Sequence, residues 1–156
     1  MPLLFLAQRE LGYITQQDIE EIADLLEIST TDVSSVAGFY TLFHLQQEGQ
    51  PTPRYRIQVC TDLPCALNGA DHFLEELCAA LGIKVGETTP DGLFTIEEVK
   101  CLAACHRAPM FQLQGDGSIT YHEHQTVQTA QVLIEELRQS VQESKATPGV
   151  KGGSNA

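Results

Sequence analysis

Positive charge is the scarcest commodity in these 156 residues: nine lysines and arginines stand against 21 acidic residues, a formal net charge of −12 at pH 7. Such a chain repels phosphate backbones and anionic lipid headgroups, so nucleic acid is excluded as a partner class. Long apolar runs are missing too. The opening Met1-Pro2-Leu3-Leu4-Phe5-Leu6 is short and lacks a basic leader, so it reads as neither a secretory signal nor a membrane span, and direct membrane insertion is not expected. A cytoplasmic protein is the expectation. There is no Gly-rich phosphate loop and no serine-nucleophile motif, and Glu97, Glu98 and Glu123 do not form an acid/base pair. The chain is expected to catalyse nothing by itself. Cys-x-x-Cys is also absent, which argues against a thioredoxin-type dithiol and against the tight knuckle of many structural zinc sites.

What the chain does have is five cysteines, of which four fall into two pairs. Cys60 and Cys65 read as Cys-x4-Cys; after 35 residues, Cys101 and Cys105 read as Cys-x3-Cys. Without an export signal a disulfide framework is not expected, so the reading is four ligands plus a spare, Cys78. Residues 55–59 alternate apolar and polar as a half-buried strand does and deliver Cys60 into a short loop, while residues 94–99 lead to Cys101 in the same way. Two strand ends, each carrying a thiol pair, can gather four sulfurs at one edge of a sheet. That is a metal or cluster site. Spacing alone leaves open a 2Fe-2S centre, with two thiolates on each iron, and a structural zinc ion, for which spacings up to x4 occur. The first pair sits at a strand-to-helix junction, where free amides and partial positive charge favour thiolate.

A hydrophobic content of 42% suits one compact domain with a smaller appendage. A helix over residues 3–11 is ended by Gly12. Thr15 caps a second helix with Asp18 in its first turn and Ile19, Ile22, Ala23 and Leu26 on one face. Ser29 or Thr30 caps a third, leading into Val33, Val36, Phe39, Tyr40 and Phe43, a stripe that composition assigns to the core, with a partner surface as its functional reading. Two prolines in Gly49-Gln50-Pro51-Thr52-Pro53 mark the domain boundary. Beyond it come a helix over 71–81 with Leu74, Leu77, Cys78 and Leu81 inward, a turn at Pro90-Asp91-Gly92, a hairpin about Gly115-Asp116-Gly117, and a last helix from about Thr126 burying Val127, Ala130, Ile134, Leu137 and Val141. From Glu143 the polar, Gly-rich tail reads as disordered. His106 follows Cys105 but reads as a solvent-facing loop residue, and His44, His72, His122 and His124 as surface or edge polarity.

The segment Val59-Cys60-Thr61-Asp62-Leu63-Pro64-Cys65-Ala66-Leu67-Asn68-Gly69-Ala70 resembles the first cluster segment of the small thioredoxin-like 2Fe-2S subunit of NADH-quinone oxidoreductase, the E subunit of respiratory complex I. Thr89-Pro90-Asp91-Gly92-Leu93-Phe94-Thr95-Ile96, Val99-Lys100-Cys101-Leu102-Ala103-Ala104-Cys105 and Ala108-Pro109-Met110 resemble its second, and Val36-Ala37-Gly38-Phe39-Tyr40-Thr41-Leu42-Phe43 its N-terminal helical motif. The resemblance implies an α/β, thioredoxin-like 2Fe-2S ferredoxin domain over 54–141, preceded by a small helical N-terminal domain over 1–50 and followed by a disordered tail over 142–156. It implies one 2Fe-2S cluster on Cys60, Cys65, Cys101 and Cys105, within a larger redox assembly whose flavin subunit binds FMN and NADH. The equivalent subunit of an NAD-linked hydrogenase or formate dehydrogenase uses the same module, and a zinc-stabilised interaction module is the alternative of another class. Relatives carry more helical sequence before this start, so the N-terminal domain is expected to be shortened. Ala103 stands where many relatives have glycine, and its Cβ is expected to hinder amide-to-sulfur hydrogen bonds.

Overall fold

In the computed structural model, which describes residues 1–46 and 52–146, three helices precede a four-stranded sheet. Helix α1 (Pro2–Leu11) ends at Gly12, whose φ of 81° is the left-handed conformation glycine tolerates without cost. Helix α2 (Gln16–Leu26) starts in a full capping box: the Thr15 side chain accepts from the Asp18 amide while the Asp18 carboxylate accepts from the Thr15 amide. Helix α3 (Thr30–Phe39) is capped by Ser29. Leu4, Ile14, Ile19, Ile22, Ala23, Val33, Ala37 and Phe43 form a small core of their own. Leu26 does not join it. The helix ends at Leu26, with Glu27 turned into the left-handed region, and the side chain stays half exposed. The aromatic stripe is likewise only partly internal: Phe43 is buried, whereas Phe39 is 79% and Tyr40 40% exposed, because α3 stops at Phe39 and the chain leaves the helix axis there.

The sheet order is β2-β1-β3-β4, with β1 (Tyr55–Cys60) parallel to β2 (Phe94–Val99) and antiparallel to β3 (Phe111–Gly115), which pairs with β4 (Ser118–His122). A parallel pair needs a crossover, supplied by the short α4 (Leu63–Ala66) and by α5 (Ala70–Leu81). The β3–β4 hairpin turns on Asp116 and Gly117, both at positive φ, as a two-residue turn of matching twist requires. One face of the sheet is apolar: Ile57, Val59, Phe94, Ile96, Phe111 and Leu113 pack against Phe73, Leu77 and Cys78 of α5 and Ala130, Ile134 and Val141 of α6 (Val127–Ala146). Helix α6 runs on past Glu143, so the expected disorder does not begin there; residues 147–156 lie outside the described ones, as do residues 47–51, on which most of the expected boundary falls.

The opposite face is polar yet buried. Gln58, Gln112 and Gln114 interlock there, with the amides of Gln112 and Gln114 donating to Gln58 Oε1 at 3.1 and 2.9 Å and Gln58 Nε2 donating to Glu97 and to the Thr41 carbonyl, both at 2.8 Å. His44, expected as surface polarity, is buried against this face. Its Nε2 lies 2.7 Å from Gln114 Oε1, and because an amide oxygen only accepts, Nε2 carries the proton. The His44 amide in turn donates to Gln8 of α1, whose side-chain amide donates to the Leu42 carbonyl. The segment before the sheet is therefore bonded to it by side chains that must be paired to be buried at all.

Burial first, then the Arg56 charge, lowers the pKa of His44, opposed by the Gln114 hydrogen bond and Glu97. Above the unfolded value of about 6.5 the ring is neutral in both states and the stabilisation is complete. As pH falls below that toward the depressed folded value, the unfolded chain takes up the proton first and stability is lost. Burial lowers the pKa of His122 as well, so it contributes in the same window. His44→Gln, which retains an amide donor, is expected to flatten part of the fall in urea midpoint between pH 7.5 and 5.5. An unchanged slope would assign the whole effect to His122 and the carboxylates.

Candidate metal centre

The ends of β1 and β2 place the cysteines. Cys60 is the last residue of β1, opposite Val99, the last of β2; the parallel register thus delivers both cysteine-bearing loops at the same end of adjacent strands. Thr61 continues the ladder by donating to the Val99 carbonyl at 3.1 Å. The chain then turns at once into α4, where Pro64 occupies a first-turn position that needs no amide donor and the Cys65 amide bonds to the Asp62 carbonyl at 2.8 Å. Both sulfurs of this pair are shut away, with Cys60 0% and Cys65 1% exposed, packed with Ala70 and Met110.

The second pair lies on a loop over the first, through Leu102, Ala104 and Ala108, which pack against the same buried group. Cys101 is exposed, and Cys105 is half-buried at the start of a single 3-10 turn (Cys105–Arg107). Their sulfurs are 3.9 Å apart. Two thiolates on one tetrahedral ion with metal–sulfur bonds of about 2.3 Å are separated by roughly 3.8 Å, so this pair has the bite of a ligand pair. Burial, then the contact with Cys60, then the charges of Cys60, Cys105 and Cys101, push the Cys65 thiol up to about 12. Cys105 is raised as well, first by its hydrogen bond with Cys101. All four thiols therefore feel one another. The thiols arrive as two pairs, one from each of two adjacent parallel strand ends, an arrangement suited to a centre of two irons with two thiolates each.

Ala103 takes φ of 60°, a left-handed conformation in which its amide donates to Cys101 Sγ at 3.4 Å. The expected loss of amide-to-sulfur bonding at this alanine is thus not what the backbone does: the chain accepts the left-handed Cβ clash, of about 1 to 2 kcal/mol, and keeps the bond. Ala103→Gly is expected to relieve about 1 kcal/mol of this strain, read as a raised urea midpoint of the metal-free chain.

The remaining candidates separate cleanly. Cys78 is buried on the inner face of α5 in the main core. His106 is exposed; His72 pairs with Glu76 on the surface of α5; His122 stacks on Phe111 with centroids 4.9 Å apart. Glu97 and Glu98 point to opposite sides of β2, Glu97 toward Arg56 and Gln58, Glu98 toward the cysteine loops. Sequence reasoning missed that Thr61, next to Cys60, and Lys100, next to Cys101, both donate to Glu98 Oε1, at 2.6 and 2.8 Å. The alternation Glu98, Val99, Lys100 at a strand end was the available signal.

Among the described residues no helix is long and apolar enough to cross a membrane. The family model of the thioredoxin-like [2Fe-2S] ferredoxins matches residues 1–138. The chain is 38% identical over 154 residues to the E 2 subunit of NADH-quinone oxidoreductase from Rhizobium meliloti, covering 96% of this chain and 87% of that one. It is 44% identical over 116 residues to NADH-quinone oxidoreductase subunit 2 of Thermus thermophilus, covering 74% of this chain and 62% of the relative. The NADH-quinone oxidoreductase E subunit of Rickettsia felis is 41% identical over 137 residues, covering 87% of this chain and 77% of that one. In the air-oxidized structure of an NAD+-reducing [NiFe]-hydrogenase, a chain superposes with a TM-score of 0.66 at 20% identity, over 99% of this chain and 26% of that one, a likeness of fold. By both the family match and these identities, the chain belongs to the thioredoxin-like [2Fe-2S] ferredoxins, within the E-subunit family of NADH-quinone oxidoreductases.

Proposed function

We propose that the chain is the one-electron carrier of a cytoplasmic-side NADH:quinone oxidoreductase, holding one 2Fe-2S cluster through Cys60, Cys65, Cys101 and Cys105 beside a partner subunit that binds FMN and NADH. The observation that carries this is the pairing itself: two thiol pairs delivered by adjacent parallel strands, one of them with sulfurs 3.9 Å apart. When bound, such a cluster takes up one electron and gives it back. The chain's part is to hold it. Cys60 and Cys65 supply a dry inner wall, the Cys101 loop forms the outer side, and the Ala103 amide directs a hydrogen bond at sulfur, which stabilises added negative charge.

The exposed aromatics support the partner. Phe39 and Tyr40 meet edge to face at 5.0 Å, Tyr40 lies 6.4 Å from Phe43, and Phe43 lies 4.9 Å from Phe5, a continuous run from the surface into the small helical core. Aromatic anchors of this kind are enriched at interfaces. On this reading residues 1–50 are a helical docking domain and 54–141 the cluster domain. The likeness to the hydrogenase chain leaves an NAD-linked hydrogenase as the second reading, separated by which subunits co-purify. Anaerobically purified chain is expected to be reddish brown, with iron and acid-labile sulfide in equal amounts. A colourless chain holding zinc and no sulfide would overturn the proposal in favour of a zinc-stabilised module.

A further inference from the structure

The two cysteine loops are tied by a side-chain clip that uses none of the sulfurs. Glu98 Oε1 accepts from Thr61 Oγ1 at 2.6 Å and from Lys100 Nζ at 2.8 Å, and Lys100 Nζ also lies 3.4 Å from Thr61 Oγ1. Thr61 is the first residue past Cys60 and Lys100 the last before Cys101, so the clip lies at the end of the sheet, where the backbone ladder finishes with the Thr61 amide bonded to the Val99 carbonyl. We propose that Glu98 is a positioning residue that, through Thr61 and Lys100, sets the separation of the two thiol pairs and holds one fixed cation beside Cys101.

An exposed ion pair contributes little to global stability, so a purely stabilising role is the weaker account. Its location supplies a different role. Cys60 and Cys65 are immobilised by burial, whereas in the second loop Leu102, Ala104 and Ala108 pack on that group but Cys101 itself is exposed and Cys105 half-exposed, so packing fixes these two sulfurs less firmly. Two side-chain contacts cross between the roots of the loops, Thr61 to Glu98 at 2.6 Å and Lys100 to Thr61 at 3.4 Å, and the Glu98–Lys100 pair holds both donors on one carboxylate; together they restrict the distance between the loops. The charge arrangement has a second consequence. Besides Glu98, Lys100 feels Asp62 of the first cysteine loop and Asp71 in the first turn of α5, so its ammonium is the cation in an otherwise acidic neighbourhood. A centre that gains an electron becomes more negative, so removing the cation disfavours reduction and removing the carboxylate favours it.

This inference rests on the cluster reading, and the test separates the two. Metal-free full chain is compared by hydrogen exchange, and cluster-loaded full chain by midpoint potential, electron paramagnetic resonance and rate of cluster loss to a chelator. Glu98→Ala is expected to speed exchange severalfold in both cysteine loops of the metal-free chain and to shorten cluster lifetime severalfold. Glu98→Gln, which keeps an acceptor for Thr61 and Lys100, is expected to hold exchange near the native rate while raising the potential. Lys100→Met is expected to lower it. Native-like exchange in Glu98→Ala, or potential shifts of the same sign in Glu98→Gln and Lys100→Met, would overturn the clip. Native chain that takes up no iron and sulfide overturns the cluster assignment, while the exchange arm on metal-free chain decides the clip on its own.

Discussion

Cys65→Ser is expected to purify without a stable 2Fe-2S centre, losing most of the visible absorption and the acid-labile sulfide, while Cys78→Ser keeps both. The asymmetry follows from placement. Cys65 is held on a one-turn helix against Cys60, inside a group closed by Ala70 and Met110, so no other sulfur can swing in to replace it. Cys78 sits on the inner face of α5 in the main core with Leu77 and Ile83, not in the group around Cys60 and Cys65, so a buried hydroxyl there costs some stability but no ligand. Serine at Cys65 leaves an oxygen of high pKa in a dry position, a poor substitute for a thiolate that iron holds deprotonated. Iron and sulfide analysis beside the circular dichroism of the fold distinguishes loss of the centre from loss of the chain. A Cys78→Ser chain that also lacked the centre, with its fold intact, would invalidate the ligand assignment.

Phe39→Ser together with Tyr40→Ser is expected to leave the cluster spectrum unchanged and to cost at least tenfold in affinity for the proposed flavin-bearing partner. Phe39 is 79% exposed, so burying its ring in a complex is worth about 2 kcal/mol, or roughly thirtyfold in Kd for that residue alone. Deleting residues 1 to 50 is a blunter experiment than the sequence suggests, because it would strip Thr41 and His44 from Gln58 and Gln114 and open the buried polar face of the sheet. The double substitution avoids this, since both side chains lie outside the small helical core. Affinity measured by titration with the isolated flavin subunit decides it, and an unchanged Kd would return the aromatics to a role in local packing.

The tethering of the N-terminal segment is where the sequence was least legible. Periodicity identifies apolar faces well because burying them is non-specific, and Ile57, Val59, Leu74, Leu77, Ala130 and Ile134 fall on the core as their spacing requires. Gln58, Gln112 and Gln114 follow the same alternation but read as solvent-facing. Their burial depends on partners contributed by Thr41, His44 and Glu97, residues distant in the chain, and no local pattern encodes such a pairing. Phe39 and Tyr40 mislead in the opposite direction: aromatic content argues for a core, yet α3 ends just where they occur.

By itself the sequence determined the helix cap at Thr15, a cap at Ser29 or Thr30, the glycine stop at Gly12, the hairpin turn about Asp116-Gly117 and the presence of two thiol pairs at strand ends, because each of these depends on interactions within a few residues. The tertiary structure alone decided that β1 and β2 are adjacent and parallel, that one thiol pair is buried while the other stays at the surface, that Ala103 turns its amide to Cys101, and that Glu98 joins the two loops. Apart from the Ala103 turn, which spans two residues, these are relations between segments some 40 residues apart. They are set by which faces the sheet and α5 must bury together, and only the packed chain expresses that constraint.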